Sequence, residues 1–365
     1  MMMRIGFVGV GCISGVYLRN ITNMFRNVEI AGVCDLIPER AEAAREKFGV
    51  HVYKDMYELF ADPGVDIVLN ITRPYEHYAV TKAALLAGKH VYSEKPLSPD
   101  YEEAKELAAL AAEKGLYLGG APDTFLGAGI QTARKLIDDG FIGTPIAAMA
   151  RVAGHGPEGW HADPEFFYQY GGGPMLDMGP YYITALVNLL GRAEAVSGMT
   201  RASFAERPIL SEKKYGQMMK VEVDTHLTGS IRFEGGAIAQ VMASFDLYTH
   251  EGCRLEVYGS EGTLIVPDPN TFGGEVKLIR PKKAPETIPL CFNYEENSRT
   301  LGLSEMVSAI EAGRLHRANS MQQVHVVEIL TAFSKSSREG REIAIESPFA
   351  RQAPMKYTPM TGIPE

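Results

Sequence analysis

Between residues 5 and 119 the chain keeps switching hydrophobic period, and this alternation restricts its possible folds more than any other feature. Residues 5–10 are a short continuous apolar run, and residues 16–25 repeat with helical spacing. Residues 28–34 are a second apolar run, followed by a helical stretch over 38–48 rich in Arg, Glu and Ala. The same alternation continues through 67–71, 76–87, 90–93, 100–114 and 116–119, with Gly88 and Gly115 stopping the two later helices. Runs of about five apolar residues separated by helices cannot pair as hairpins. They need crossover connections, hence parallel strands in βαβ units. Right-handed crossovers then give a doubly wound Rossmann sheet.

A helix over 130–139, ended by Gly140, closes this pattern. Longer strands are predicted over 146–152, 196–203, 221–233, 237–245 and 254–258. Residues 221–227 alternate apolar and polar, as in a sheet with one wet face, and Gly235-Gly236 fits a hairpin turn. Successive strands without intervening helices imply a mostly antiparallel second sheet. Helices are predicted over 303–312 and 321–335. At 365 residues the chain is long enough for two domains. The expected division is an NAD-binding Rossmann domain over 1–122 and a substrate-binding and oligomerisation α/β domain over 123–365, its C-terminal helices packing back near the junction.

Gly9-Val10-Gly11-Cys12-Ile13-Ser14-Gly15 follows a predicted strand and opens a predicted helix. In that position Gly9 makes the tight turn, Gly11 lets backbone approach a pyrophosphate, and the helix N-terminus offers N–H groups and a positive dipole. The third glycine comes one place late, with small Ser14 in the usual position. Asp35 ends the second strand, 20 residues after Gly15. A carboxylate there bonds ribose hydroxyls and repels a 2′-phosphate, which favours NAD over NADP. The expected cofactor contacts are Gly9, Gly11, Cys12, Ile13 and Asp35, together with Thr72 past the third strand and Glu94 and Lys95 past the fourth.

Composition excludes other classes. The net charge is −9, with 45 acidic against 36 basic residues, and the basic stretch Arg280-Pro281-Lys282-Lys283 is too short for a phosphate-binding face. No nucleic-acid partner is expected. No apolar run approaches the ~18 residues that span a bilayer, and Met1–Arg4 leads into a strand rather than a signal peptide. Cys12, Cys34, Cys253 and Cys291 lack metal-like or redox spacing, so a reduced, cytoplasmic protein without a metal site is expected.

Three stretches resemble the glucose–fructose oxidoreductase / inositol dehydrogenase / MocA (Gfo/Idh/MocA) family. Residues 87–96, ending Glu94-Lys95-Pro96, are similar to its Glu-Lys-Pro signature. Gly171-Gly172-Gly173-Pro174-Met175-Leu176-Asp177-Met178-Gly179 is similar to the helix bearing its catalytic acid. Residues 313–318 and the helix after them are similar to its C-terminal part. The resemblance implies a Rossmann domain joined to an α/β domain with a large open sheet, and a substrate cleft at the nicotinamide. It also implies oxidation or reduction of one carbinol of a sugar or cyclitol, a homodimer or homotetramer, Lys95 as catalytic lysine and Asp177 as its partner. The family's usual histidine four residues after the aspartate is Tyr181 here.

Read from the residues alone, Lys95 lies past a parallel strand's C-terminal end, where ligands bind, and its ammonium can stabilise charge on a carbinol oxygen. Pro96 restricts its backbone. The plainer reading is a surface Lys-Pro turn. Asp177 and Tyr181, four apart after Pro174, lie on one helical face; dipole stabilisation and core packing are their plainer readings. In the loop 154–164, Trp160 suits the C–H face of a sugar and His161 is a reserve acid/base, against a solvated loop. Trp160, His161, Lys95, Asp177 and Tyr181 are the expected substrate contacts. His77, His316 and His325 read as structural; Asp123 can cap the helix after it or reach the cleft, and the cap is the preferred reading. Two other functions remain open: a glycosidase that retains NAD, and a non-catalytic NAD-binding sensor.

Overall fold

The computed structural model describes residues 2–249, 251–357 and 362–364. The chain divides into two compact units, one of residues 1–128, 291–324 and 353–365, the other of residues 129–290 and 325–352.

In the first unit the expected alternation appears as β1 (Met3–Val8), α1 (Ser14–Asn23), β2 (Val28–Cys34), α2 (Pro38–Phe48), α3 (Met56–Ala61), β3 (Ile67–Asn70), α4 (His77–Leu86), β4 (His90–Ser93), α5 (Tyr101–Glu113) and β5 (Leu118–Gly120). The strands form one parallel sheet in the order β2-β1-β3-β4-β5. Phe7, Val68, Leu69 and Val91 are fully buried, which is why these strands read as continuous apolar runs rather than alternating ones. Asp55 caps α3 by accepting from Tyr57 N and Glu58 N, and Asp100 caps α5 through Glu103 N. Helix α3 has only six residues, too few for its periodicity to show in the sequence.

The second unit carries α6 (Ala128–Asp138), β6 (Pro145–Ala153), α7 (Pro174–Asp177), α8 (Gly179–Leu190), β7 (Ala193–Arg201), β8 (Glu206–Pro208), β9 (Met218–Lys220), β10 (His226–Phe233), β11 (Ile238–Ser244), β12 (Cys253–Gly259), β13 (Thr263–Val266), β14 (Val276–Ile279) and β15 (Glu286–Ile288). Helix α9 (Leu301–Ala312) belongs to the first unit; α10 (Ser320–Glu339) and β16 (Ile343–Ala344) close the set. Nine strands form one sheet in the order β15-β14-β13-β12-β6-β11-β10-β7-β16. Only β6 and β11 pair parallel; the other pairs in this sheet are antiparallel. The chain is thus α/β, with a Rossmann sheet and a large, mostly antiparallel sheet.

Phe333 of α10 packs into a notch made by two strand glycines. A Cβ on Gly198 would lie 2.9 Å from its Cδ1, and one on Gly229 would lie 2.8 Å from its Cε1. Leu227, Ile231 and Phe233 of β10 and Ala239 and Val241 of β11 are buried, while Thr228 and Ser230 are half-buried. One sequence expectation needs correction. The strand expected over 221–233 begins only at His226, because residues 221–225 are engaged elsewhere: Glu222 N donates to Tyr168 O at 2.8 Å, and Thr225 Oγ1 donates to Asp246 Oδ2 at 2.7 Å.

Candidate active site

The loops leaving the C-terminal ends of β1 to β4 collect the candidate cofactor residues on one edge of the parallel sheet. Gly9 has φ +95°, and a Cβ there would lie 2.7 Å from Ile71 O. Only glycine tolerates both the backbone angle and that approach. Around Gly11 the opposite holds, since a Cβ would meet nothing within 4 Å. No side chain caps α1, so its first turn keeps its positive end for an anion. Cys12 is exposed and Ile13 half-buried in the same loop.

Asp35 meets this loop directly. Its Oδ2 accepts from Val10 N at 2.6 Å and its Oδ1 from Ile37 N at 2.8 Å. A carboxylate has about four lone-pair positions, so two protein donors leave acceptor capacity for ribose hydroxyls. Gly9 N donates to Cys34 O at 2.9 Å, tying the turn to the end of β2. The open space at Gly11, the uncapped helix and the braced carboxylate fit a bound dinucleotide.

Thr72 follows β3 and donates through N and Oγ1 to Asn70 Oδ1, at 3.2 and 2.7 Å. Buried His77 links this loop to the next: its Nδ1 lies 2.6 Å from Pro96 O and its Nε2 3.2 Å from Thr72 O. Burial holds its pKa below the ordinary value. The structural reading of His77 therefore stands, with the addition that it joins two loops of the cofactor edge. Glu94 and half-buried Lys95 follow β4, and the Lys95–Pro96 bond is cis. Glu94 is 9% exposed. Its Oε1 accepts from Tyr17 Oη at 2.7 Å and its Oε2 from Lys95 N at 3.0 Å. Tyr17 was not expected from sequence, because nothing near it marks a partner 77 residues away.

Asp123 caps a helix, but not the one that follows it. Its Oδ2 accepts from Thr300 N and Gly302 N, both at 3.0 Å, at the start of α9. Burial raises its pKa to about 6 in spite of these donors.

In the second unit the expected single helix is two. Helix α7 ends at Asp177 and α8 begins at Gly179. Pro180 has no N–H, and Tyr181 N donates to Met178 O at 3.2 Å, a three-residue bond in place of the four-residue one. Helical period therefore does not fix the angle between half-buried Asp177 and buried Tyr181. The loop 154–164 is built on a buried ionic core rather than being loosely solvated. Arg207 pairs with Glu158 and with Asp246 Oδ1 at 2.8 Å, and it donates to Phe245 O at 2.8 Å and His155 O at 2.9 Å. Tyr168 Oη donates to Glu158 Oε1 at 2.7 Å. Above this core Trp160 is 70% exposed and packs edge-on to His161 and Phe167, with centroids 5.5 and 6.0 Å away. His161 Nδ1 accepts from Asp163 N at 3.0 Å, which places the proton of the neutral ring on Nε2.

His325 is buried, with Nε2 accepting from Ala193 N at 3.1 Å and Nδ1 2.8 Å from Ser347 Oγ. Burial pulls its pKa to about 4, as it does for His316. Among the described residues no group of three or more His, Cys, Asp or Glu side chains is placed to hold a metal, and no helix is long and apolar enough to cross a membrane.

A glycine turn that admits no side chain, an uncapped helix and a carboxylate braced against the turn are the marks of a Rossmann protein that binds NAD. Residues 3–120 match the family described as an oxidoreductase family with an NAD-binding Rossmann fold, and residues 130–265 match the GFO/IDH/MocA C-terminal domain. The chain belongs to the Gfo/Idh/MocA family. It is 33% identical over 244 residues to 1,5-anhydro-D-fructose reductase of Ensifer adhaerens, covering 65% of this chain and 68% of that one. It is 32% identical over 152 residues to an inositol 2-dehydrogenase/D-chiro-inositol 3-dehydrogenase of Lactiplantibacillus plantarum. There the match covers 39% of this chain and 42% of the relative's length. The fold superposes on levoglucosan dehydrogenase, solved with NADH and L-sorbose, with a TM-score of 0.82 at 20% identity over 95% of this chain and all of that one.

Proposed function

We propose that the protein transfers a hydride between NAD and a carbinol or ketone of a sugar, cyclitol or sugar derivative. The observation that carries the reading is Asp35, whose carboxylate is locked to Val10 N inside the glycine loop on the sheet edge that also bears Lys95. Bound NAD supplies the hydride acceptor or donor. Gly9, Gly11, Cys12, Ile13, Asp35, Thr72 and Glu94 hold it, and Lys95 stabilises charge on the substrate oxygen. Asp177 keeps Lys95 charged and aimed, and Tyr181 exchanges the proton with that oxygen. A free phenol, with a pKa near ~10, is too weak an acid to serve as a base at neutral pH unless an ammonium favours its phenolate, and Lys95 has that part. Trp160 and His161 serve as substrate contacts, the indole for C–H faces of the ring.

Residues 1–122 form the cofactor part in this reading, and residues 123–365 supply substrate and oligomer surfaces. We assign the protein to the cytoplasm, its four cysteines showing neither metal-like nor redox spacing. The relatives named above act, by their names, on inositols and anhydrofructose, which supports a polyol or sugar substrate. The test is a panel of cyclitols, aldoses, ketosugars and glycosides with NAD⁺ or NADH, read at the nicotinamide absorbance and by release of sugar from the glycosides. Turnover of at least one member with net change in NADH is expected. Hydrolysis of a glycoside without net NADH would replace this reading with the NAD-retaining glycosidase, and no turnover at all would favour the sensor.

A further inference from the structure

The unexplained group on the cofactor edge is Tyr17. It is wholly buried on α1, yet its hydroxyl reaches across to Glu94 Oε1 at 2.7 Å. A buried carboxylate is costly unless donors meet its oxygens. Here the phenol meets one and the Lys95 N–H meets the other, at 3.0 Å. Lys95's own backbone is therefore tied to wherever the Glu94 carboxylate sits. The other buried acid in this region, Asp123, gives one oxygen to the first amides of α9 and does not share the latch. Burial and the Glu94 charge keep the Tyr17 phenol protonated, as a donor must be.

We infer that Tyr17 is a positioning residue for hydride transfer: by fixing Glu94, which caps the Lys95 amide, it latches the helix behind the glycine loop to the loop that presents Lys95. The inference rests on the reading of Lys95 as a catalytic residue. Tyr17 itself touches neither the reacting carbon nor the substrate oxygen. Replacing it by Phe keeps the ring and removes one oxygen, so packing is preserved and the latch is lost. A catalytic group misplaced by about 1 Å costs on the order of 10²-fold in rate, and a loosened one somewhat less.

The test uses the full chain with the fastest substrate of the sugar and cyclitol panel. Tyr17→Phe is expected to lower kcat roughly 10- to 100-fold, with the sugar KM and the NADH Kd within about threefold of the parent. Glu94→Leu, of similar size and unable to accept from either donor, reads the latch from its other end and serves alone should Tyr17→Phe fail to fold, an unchanged NADH Kd separating the latch from a cofactor contact. The double variant is expected to be no slower than the worse single one, because both changes break one chain of contacts. A Tyr17→Phe enzyme with unchanged kcat, whatever its melting temperature, overturns the inference, as do multiplicative losses in the double variant. Lys95→Ala separates the two levels. If it is inactive while Tyr17→Phe is normal, only the positioning role fails. If it stays active, the reading of Lys95 fails and the inference with it.

Discussion

Two glycines two residues apart in the first loop should respond to the same substitution in opposite ways. At Gly9 a methyl group would lie 2.7 Å from Ile71 O and 2.9 Å from its carbonyl carbon, at φ +95°. The neighbour is backbone at the end of the central sheet and has no rotamer to yield. Positive φ costs a non-glycine residue about 1–3 kcal/mol, and forcing extra atoms into a filled space adds about 1–3 kcal/mol more. Gly9→Ala should therefore destabilise the unliganded protein by roughly 2–6 kcal/mol, a large part of the ~5–15 kcal/mol that holds a domain together. At Gly11 the methyl would meet nothing within 4 Å, so the unliganded protein should melt within about 2 °C of the parent. The methyl would instead occupy space reserved for the dinucleotide backbone. Loss of a single close phosphate contact, at ~1.4 kcal/mol or more, weakens NADH binding at least tenfold. Thermal unfolding without cofactor and NADH fluorescence titration measure the two effects separately. A Gly11→Ala protein that binds NADH like the parent would refute the placement of the pyrophosphate at this loop. An undisturbed melting temperature in Gly9→Ala would refute the steric account of the turn.

NAD(H) should bind at least tenfold tighter than NADP(H), and Asp35→Ala should narrow the gap; equal affinities in the parent protein would remove Asp35 from the ribose site. Tyr181→Phe should lower turnover by ~10²–10⁴-fold, the usual worth of a general acid/base, with Lys95→Ala at least as damaging and NAD affinity little changed. If Tyr181→Phe stays active while His161→Ala does not, the proton belongs to the loop histidine. His325, held neutral by burial with its pKa at about 4, takes up a proton near ~6.5 once unfolded. Its contribution to stability is thus complete above ~6.5 and declines as the pH falls from there toward 4, by on the order of 2 kcal/mol at pH 5. Asp123 works the other way, its raised pKa of about 6 relieving strain on acidification, so the informative comparison is urea unfolding of the parent against His325→Gln, whose stability should vary less between pH 7 and pH 5. Light scattering should show a homodimer or homotetramer, since Ile146, Met199 and Ile238 stand 56%, 76% and 53% exposed on strands of the nine-stranded sheet; a species of 40.0 kDa alone would refute it.

What could be read from the sequence follows from the range of the interactions involved. The parallel sheet was legible because its strands are mostly buried on both faces and α4 and α5 are stopped locally by Gly88 and Gly115. The glycine loop and Asp35 were legible because a turn, a helix start and a strand end lie within one βαβ unit. The break after Asp177 was missed although Pro180 stood in the sequence: proline is common in a first helical turn, so it does not by itself mark a new helix. Strands β13 to β15, of three or four residues each, are too short for an alternation to register. Trp160 and His161 stand out in the sequence as residue types, but the Arg207 core beneath them draws on Glu158, Asp246 and Tyr168, which no spacing rule connects. Asp123 shows the same limit. Its chemistry as a cap was legible; its client, α9, lies 177 residues further along.

That last distance has a consequence for synthesis. Several groups in the first unit wait for residues made after the whole stretch 129–290. Asp123 needs Thr300 N and Gly302 N, Asn20 needs Asn297 O and Arg299 O, and Asn27 needs Ser304 O. At ribosomal speeds of about 5–20 residues per second, the interval is roughly 10–30 s. Throughout it the emerging Rossmann sheet carries a carboxylate and two amides whose partners do not yet exist. The glycine turn, Asp35 and the Tyr17–Glu94 latch all lie within the first 95 residues, so the cofactor edge has its own contacts before α9 arrives. An NAD molecule bound at that edge would stabilise the first unit through the interval.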